Sequence, residues 1–327
     1  MKAIKDYIRY NSFIRKHAYK LLKLCDKFAL YNKIYSKNIR AKTSRITPFP
    51  AELSIETTNL CNAKCTICPH PDMKRTKSKM GTGLVHSLIE QAGRGKVDKL
   101  FLSGFGEPLV DNRLPQFIEY ASTRGIKNIT IVTNGSLLTP QLAESMIEAG
   151  LNEIIISIDG FTAKTYESIR LGLKFERLVD NLNGLSSIKN RKDAEISLSC
   201  VDLIHNRNER GKAYTEFGRF VDNIFFRQAQ GWTAGYGQES AGYSPHFETN
   251  SIPCQYLWNS ASVYIDGTVP ACCLDFEAEG VMGNALDDSL ERIWQGERFR
   301  YYRQQHLNNH KSELVPCRKC GYYSVWW

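Results

Sequence analysis

The sequence contains no apolar run near the roughly 20 residues that a membrane-spanning helix needs. Its start also lacks the uninterrupted apolar core and small-residue cleavage site of a secretory signal. No internal repeat or low-complexity block is present, which argues against a repeat architecture. We therefore expect a globular, cytoplasmic protein, and 327 residues are enough for more than one structural unit.

Acidic residues are scarce in the first 50 residues, which contain thirteen Lys or Arg and only Asp6 and Asp26. Because the rest of the chain is nearly balanced, the net charge of +9 belongs to this stretch, and we expect no nucleic-acid partner. Apolar residues from Ile4 to Phe28 recur every three or four positions, so residues 1–50 are predicted to form a basic helical extension. Two interpretations stay open: a packing helix with a solvated basic face, or a peripheral anchor in residues 1–45 for an anionic membrane or an acidic partner.

From residue 52 onward, short β-branched runs alternate with helical patterns, the last of which is near residues 209–220. The predicted strands are residues 53–57, 100–103, 129–133, 154–158, 196–201 and 224–226. Six β–α units predict an α/β fold with a parallel sheet, and this number suits an open, partial (βα)6 barrel of the TIM type better than a closed barrel of eight. We place the barrel at residues 51–238 and a smaller, cysteine-bearing domain at residues 239–327. Functional groups are expected in the loops after the strand carboxyl ends.

Eight of the ten cysteines fall in two tight groups, which favours metal ligation in a reducing compartment over disulfides. Cys61, Cys65 and Cys68 form a C-x3-C-x2-C pattern directly after the first predicted strand. Three thiolates can hold three corners of a four-iron cluster and leave the fourth iron open, as a catalytic site requires. The spacing alone leaves structural zinc, with a fourth ligand such as His70, as an alternative. The basic residues that follow the triad, at positions 74, 75, 77 and 79, are expected to form a solvated loop, with contact to an anionic substrate as the alternative.

Further motifs follow the next three predicted strands in order: Ser-Gly-Phe-Gly-Glu-Pro at residues 103–108, Thr-Asn-Gly at 133–135 and Ser-Ile-Asp-Gly at 157–160. Together with the cysteine triad, they resemble the radical S-adenosylmethionine (radical SAM) superfamily. Two positions depart from the usual pattern: Ile67 stands where an aromatic residue is frequent, and Phe105 where a glycine is common. The resemblance implies that S-adenosylmethionine is contacted by Gly104, Gly106, Glu107, Thr133, Asn134, Ser157, Asp159 and Arg170.

The second group combines Cys254, the adjacent pair at 272–273 and a C-x2-C pair at 317–320. Taken alone, it also fits a zinc ribbon. Residues 263–272 are predicted to form a hairpin that turns at Asp266-Gly267. Residues 250–327 resemble the SPASM/twitch auxiliary-cluster domain of radical SAM enzymes, with a spacing similar to the 2-deoxy-scyllo-inosamine dehydrogenase type. This resemblance implies one auxiliary cluster, held by Cys254, Cys272, Cys317 and Cys320. Cys273 is an alternative to Cys272 as the second ligand.

Together, the resemblances imply a radical SAM oxidoreductase with two [4Fe-4S] clusters and S-adenosylmethionine as cofactors. They favour a small-molecule substrate, a sugar or cyclitol, and a flavodoxin- or ferredoxin-type reductant. Peptide or protein modification is an alternative. Cys200 as a hydrogen-atom donor would instead make an epimerase, although a cysteine on a predicted strand is more often a buried packing residue. The alternative of another class is a non-enzymatic zinc or iron–sulfur binding module.

Overall fold

The computed structural model describes residues 41–188, 193–229, 253–318 and 320. The basic helices predicted before residue 41 and the domain boundary predicted near residue 238 lie outside the described residues. A helical turn ends at residues 41–43, and the chain then runs without helix through Pro48 and Pro50, as the two prolines predict. This segment leads directly into the first strand.

The centre of the molecule is a seven-stranded sheet in which every neighbouring pair is parallel. Its strands are β1 (Glu52–Ile55), β3 (Lys99–Phe101), β4 (Ile129–Thr133), β5 (Glu153–Ser157), β7 (Glu195–Asp202), β8 (Asn223–Gln228) and β9 (Ser260–Val263). Two separate two-stranded sheets are formed by β2 (Lys64–Cys65) with β6 (Arg170–Leu171) and by β10 (Thr268–Pro270) with β11 (Val281–Asn284). The spatial order in the sheet is β8-β7-β5-β4-β3-β1-β9. The six predicted barrel strands and the open, partial barrel are therefore confirmed. The seventh strand, β9, was not predicted to join the barrel sheet.

Helices cover the sheet between successive strands, as right-handed β–α units require. Between the barrel strands lie α1 (Thr82–Gly95), α2 (Leu114–Thr123), α3 (Pro140–Glu148), α4 (Ala163–Ile169), α5 (Phe175–Leu185) and α6 (Arg210–Lys212). In the C-terminal region, α7 (Tyr256–Asn259) precedes β9, and α8 (Leu290–Gln295) and α9 (Glu297–Leu307) follow β11. The Thr139 and Thr162 side chains cap α3 and α4 by accepting from Leu142 N and Thr165 N. Within the described residues, no helix is both long and apolar enough to cross a bilayer.

Both faces of the sheet are buried. Ile154, Ile155 and Ile156 are consecutive on β5 and point alternately to opposite faces, yet none is more than 4% exposed. Burial on both faces is typical of parallel sheets flanked by helices. The loops at the carboxyl edge of the strands are therefore the part of the barrel that can carry polar groups.

Two sequence predictions need correction. The turn at Asp266-Gly267 is present, with Gly267 at φ +83° and the Tyr264 amide donating to Thr268 O at 2.9 Å, but β10 forms its ladder with β11 and β9 forms its ladder with β1. The helix predicted near residues 209–220 is shorter: α6 passes into a π-helical turn at Ala213–Phe217. The first difference matters most, since β9 joins the C-terminal region to the barrel through backbone hydrogen bonds.

Candidate functional site

The loop that carries the first cysteine triad is held in place by a short antiparallel ribbon. β2 pairs with β6, so that Cys65 lies opposite Arg170. Beyond the ribbon, the Thr66 amide donates to Ile169 O at 2.8 Å. These bonds fix the cysteine loop to the segment after β5, on the carboxyl side of the sheet.

The three thiols face one another across a partly buried space. Burial raises the pKa of Cys61 to about 11 and that of Cys68 to about 12, and the charges of the neighbouring cysteines raise both further. Thiols in such a place stay protonated at neutral pH unless a cation holds them as thiolates. The donor set therefore fits an iron–sulfur cluster, whose irons provide that charge.

Glu107 lies in the same space and is 2% exposed. Its carboxylate accepts from Thr133 Oγ1 at 2.5 Å, from the Asn134 amide at 2.6 Å and from the Leu109 amide at 3.1 Å. Burial raises its pKa, and these hydrogen bonds act in the opposite direction. A carboxylate has about four acceptor positions, so Glu107 retains the capacity to accept from a ligand's ammonium group.

Asn134 connects the third βα loop to the cysteine loop. Its side-chain amide donates to Asn62 Oδ1 at 2.9 Å, and Asn62 Nδ2 donates to Ser136 Oγ at 2.9 Å. Asn62 stands directly after Cys61. In this structure Asn134 therefore orients the cysteine loop.

The two glycines of the 103–108 loop are needed for packing against the chain that leaves β1. A Cβ atom added to Gly104 would lie 2.6 Å from Glu56 Cβ, and one added to Gly106 would lie 2.8 Å from the Asn59 backbone. The resemblance placed both at the cofactor. The structure shows that both positions where a Cβ would sit are taken by protein atoms.

Arg170 and Asp159 form a buried ion pair beside the triad. Arg170 Nη2 lies 2.6 Å from Asp159 Oδ2, with the side chains 10% and 0% exposed. Arg170 Nη1 also lies 3.9 Å from Cys65 Sγ, and Asp159 Oδ1 accepts from the Val201 amide. Asp159 thus orients Arg170 toward the triad. Ser157, the last residue of β5, is half-buried at the same edge.

Tyr166 is a residue that the sequence predictions missed. It is fully buried, and its hydroxyl has no hydrogen-bond partner among the described residues. Burial raises its pKa, with Arg170, Cys65, Asp159 and Glu107 as the charged neighbours. A signal was available, since Tyr166 precedes Arg170 by four residues at the end of α4 and therefore shares its helical face.

The second thiol site combines three segments of the C-terminal region. Cys254 precedes α7, Cys272 and Cys273 follow β10, and Cys317 and Cys320 follow α9. Burial raises the pKa of Cys254 to about 12, and burial also raises that of Cys317. The charges of Cys254 and Cys320 act on both Cys272 and Cys317. These four thiols therefore share one buried space.

Cys273 has a different environment from Cys272. Its pKa is lowered, first by a hydrogen bond with Cys272 and further by one with Tyr256, and Glu52 is among the charges near it. The Cys272 sulfur accepts from the Leu274 amide at 3.4 Å and lies near Cys254 and Cys320. The charge of Cys273 also acts on Cys254, so both adjacent thiols lie close to this space. Cys272 lies near both Cys254 and Cys320, which favours Cys272 as the residue that faces the other thiols.

The basic loop after the first triad, expected to be solvated, joins the barrel to the C-terminal region through Arg75. Arg75 makes two hydrogen bonds, of 2.8 and 2.9 Å, to buried Glu56 at the end of β1. Its Nε donates to Phe276 O at 2.7 Å, and its guanidinium lies 3.9 Å from the centre of the Tyr264 ring. Phe105, the departure noted in the sequence, packs in this same cluster. Arg75 is thus a structural link between barrel and C-terminal region.

Two alternatives from the sequence can be placed in the structure. Cys200 is fully buried on β7 within the main core, and burial raises its pKa well above its usual range. His70 Nε2 lies 2.7 Å from Asn59 O, so the ring is held by the backbone. Within the described residues, no three Cys, His, Asp or Glu side chains form a group that could hold a single metal ion.

Comparison with protein families supports both sites. The radical SAM superfamily model matches residues 55–210, and the model of the SPASM iron–sulfur cluster-binding domain matches residues 254–321. The chain belongs to the radical SAM superfamily and has a SPASM domain. These families imply S-adenosylmethionine as a cofactor and two [4Fe-4S] clusters, one in each domain. The predicted cofactors are therefore confirmed.

Two relatives show how far the similarity extends. The S-adenosyl-L-methionine-dependent 2-deoxy-scyllo-inosamine dehydrogenase of Niallia circulans is 24% identical over 279 residues, which cover 84% of this chain and 93% of that protein. A GTP 3′,8-cyclase of Alkaliphilus oremlandii is 36% identical over 146 residues, but these cover only 42% of this chain and 45% of that protein. Similarity to the dehydrogenase therefore extends over most of both proteins, whereas similarity to the cyclase covers less than half of each.

Solved structures share the fold. BtrN in complex with AdoMet and 2-DOIA has a TM-score of 0.60 at 20% identity, covering 85% of this chain and 95% of BtrN. Streptococcus suis SuiB bound to the precursor peptide SuiA has a TM-score of 0.68 at 16% identity, and the match covers 86% of this chain and 72% of SuiB. At these identities the likeness concerns the fold alone.

Proposed function

We propose that this radical SAM enzyme oxidises a hydroxyl-bearing carbon of a sugar or cyclitol to a ketone. The observation that carries the proposal is the similarity to 2-deoxy-scyllo-inosamine dehydrogenase over 84% of this chain and 93% of that protein. Conversion of a secondary alcohol to a ketone removes one hydrogen atom, one proton and one electron. An electron acceptor is therefore needed in addition to the radical source, and the second thiol site provides a place for one.

At the first site, the bound cofactors would supply a 5′-deoxyadenosyl radical that takes the hydrogen atom from the substrate. Cys61, Cys65 and Cys68 would hold three irons and leave the fourth for S-adenosylmethionine. Glu107, with its free acceptor capacity, would bind the ammonium of the methionine moiety. Arg170 would bind its carboxylate.

The surrounding residues would orient these contacts. Thr133 holds Glu107, Asp159 holds Arg170, and Asn134 holds the cysteine loop, through the hydrogen bonds and ion pair described above. Ser157 lies at the strand end where the nucleoside would pass. The buried Tyr166 hydroxyl, which lacks a protein partner among the described residues, would donate to the same carboxylate as Arg170. Gly104 and Gly106 would contact the methionine moiety through their backbone, since protein atoms occupy the positions where a Cβ would sit.

The second site would hold the auxiliary cluster through Cys254, Cys272, Cys317 and Cys320. Four protein thiolates leave no iron open for substrate, so this cluster would serve electron transfer. The burial of these thiols is consistent with a site shielded from water.

The test is anaerobic turnover with dithionite, S-adenosylmethionine and a panel of aminocyclitols and sugars deuterated at each carbinol carbon. We expect deuterium in 5′-deoxyadenosine and a ketone product from at least one cyclitol or sugar. Deuterium transfer only from a peptide would overturn the proposal in favour of peptide modification. A product of inverted configuration that disappears in Cys200→Ser would favour the epimerase.

Two features of the cellular context complete the proposal. A flavodoxin- or ferredoxin-type protein would provide the electron for the first cluster, and replacing dithionite by such a protein should preserve turnover.

Residues 1–45 would contact an anionic membrane or an acidic partner through their basic residues. Deleting residues 1–45 should abolish sedimentation with anionic liposomes and leave cofactor cleavage intact, and unchanged sedimentation would refute the membrane contact.

A further inference from the structure

A histidine that no sequence prediction included bridges two segments of the second thiol site. His306 lies in the last turn of α9 and is 3% exposed. Its Nδ1 accepts from the Cys254 amide at 3.1 Å, and its Nε2 lies 3.4 Å from Cys317 Sγ. One imidazole ring therefore contacts one cysteine through the backbone and another through sulfur.

The contact with the backbone fixes the tautomer of the ring. The Cys254 amide can only donate, so Nδ1 must present its lone pair, and the ring proton of a neutral imidazole then resides on Nε2. Nε2–H accordingly points at Cys317 Sγ. If Cys317 is a cluster ligand, its sulfur is a thiolate and accepts this hydrogen bond.

We propose that His306 is a positioning residue that raises the reduction potential of the auxiliary cluster through an Nε2–H···Sγ hydrogen bond to Cys317. This inference rests on the proposed electron-accepting role of the second site. Hydrogen bonds to the sulfurs of a cluster stabilise its more negative, reduced form and are among the determinants of its potential. In a buried site the effect is larger than in water. The consequence is a better acceptor for the electron left on the substrate.

The experiment uses the Cys61/Cys65/Cys68→Ala background, in which only the auxiliary cluster absorbs and gives an EPR signal. His306→Asn keeps an acceptor near the position of Nδ1 and loses the donor to sulfur. His306→Gln keeps a donor near the position of Nε2. His310→Asn, four residues away on an exposed position, is the matched control.

We expect the midpoint potential of the cluster to fall in His306→Asn and to stay near the wild-type value in His306→Gln and His310→Asn. An unchanged potential in His306→Asn, with the cluster fully loaded, would overturn the inference. Pulsed EPR of the reduced cluster with ¹⁵N-labelled histidine does not depend on the variants. A coupling to one histidine nitrogen supports the hydrogen bond, and its absence refutes it.

Failure of the proposed function looks different. If the background variant binds no iron at all, the second site holds no auxiliary cluster and the role assigned to that site is wrong. If it binds about four irons and only the potential is insensitive to residue 306, the cluster assignment stands and the role of His306 alone is rejected.

Discussion

The two thiol sites of this enzyme differ in what surrounds the sulfurs. The first has three thiols, with an arginine, two carboxylates and a tyrosine hydroxyl beside them (Arg170, Asp159, Glu107 and Tyr166). The second has five thiols, with His306 and Lys311 beside them. A site with charges of both signs is suited to a zwitterionic ligand such as an amino acid. A site that supplies all ligands from its own chain is suited to holding a cluster and passing electrons. We call the first thiol site the open site and the second the closed site.

The most drastic way to break this comparison is to remove one ligand from the closed site. Cys272→Ala should lose the auxiliary cluster, about four irons per chain, while Cys273→Ala should retain it. The reason is that Cys272 lies near both Cys254 and Cys320, whereas Cys273 lies near Cys254 and makes a hydrogen bond with Tyr256. Iron analysis of both variants after anaerobic reconstitution is the measurement. Loss of iron in Cys273→Ala alone would reverse the assignment.

The next largest effect concerns the buried charges of the open site. Arg170→Leu leaves Asp159 buried and unpaired, which should lower the free energy of unfolding of the apoprotein by about 3–5 kcal/mol. The Asp159→Asn/Arg170→Leu double variant should recover part of this loss, since no buried charge remains. Urea denaturation of the apoproteins measures both. Equal stability of the single variant and the wild type would show that the pair is solvated.

A smaller loss is expected at Arg75, which links the barrel to the C-terminal region. Arg75→Leu should lower the free energy of unfolding by about 3 kcal/mol, because it leaves the buried carboxylate of Glu56 without its cation. The loss is no larger because Glu56 keeps its hydrogen bonds from the Phe105 and Ile265 amides. Lys174→Leu is the control, since Lys174 is 76% exposed in its pair with Glu167 and should cost less than about 1 kcal/mol. A similar loss in both variants would contradict the linking role of Arg75.

The smallest effect is a pH dependence that belongs to the closed site. Burial lowers the pKa of His306 to about 4, with Lys311 adding to the shift, so the folded apoprotein binds this proton less tightly than the unfolded chain. The contribution of the buried, neutral His306 ring to stability is complete above pH 6.5 and is lost as the pH falls toward 4. Between pH 8 and pH 5 the wild type should lose about 2 kcal/mol more than His306→Gln. An identical loss in both would mean that the ring titrates normally.

Much of this architecture could be predicted from the sequence. The β–α alternation identified all six barrel strands, and the spacing of the cysteines identified both thiol groups. β9 was missed as a barrel strand because its partner, β1, is distant in sequence, and only tertiary packing brings them together. Arg75 was taken for a solvated residue for the same reason, since its partner Glu56 and the Tyr264 ring belong to other segments. His306 carries no local signal at all, since nothing near it in the sequence indicates that its ring reaches Cys254 and Cys317.

The central claim is that the open site cleaves S-adenosylmethionine and the closed site holds a second, separate cluster. The most direct test compares wild type with the Cys61/Cys65/Cys68→Ala variant after anaerobic reconstitution, by iron and sulfide analysis and by 5′-deoxyadenosine formation with dithionite. We predict about eight irons per chain and cleavage in the wild type, and about four irons with no cleavage in the variant. Four irons or fewer with bound zinc in the wild type, and no 5′-deoxyadenosine, would contradict the account.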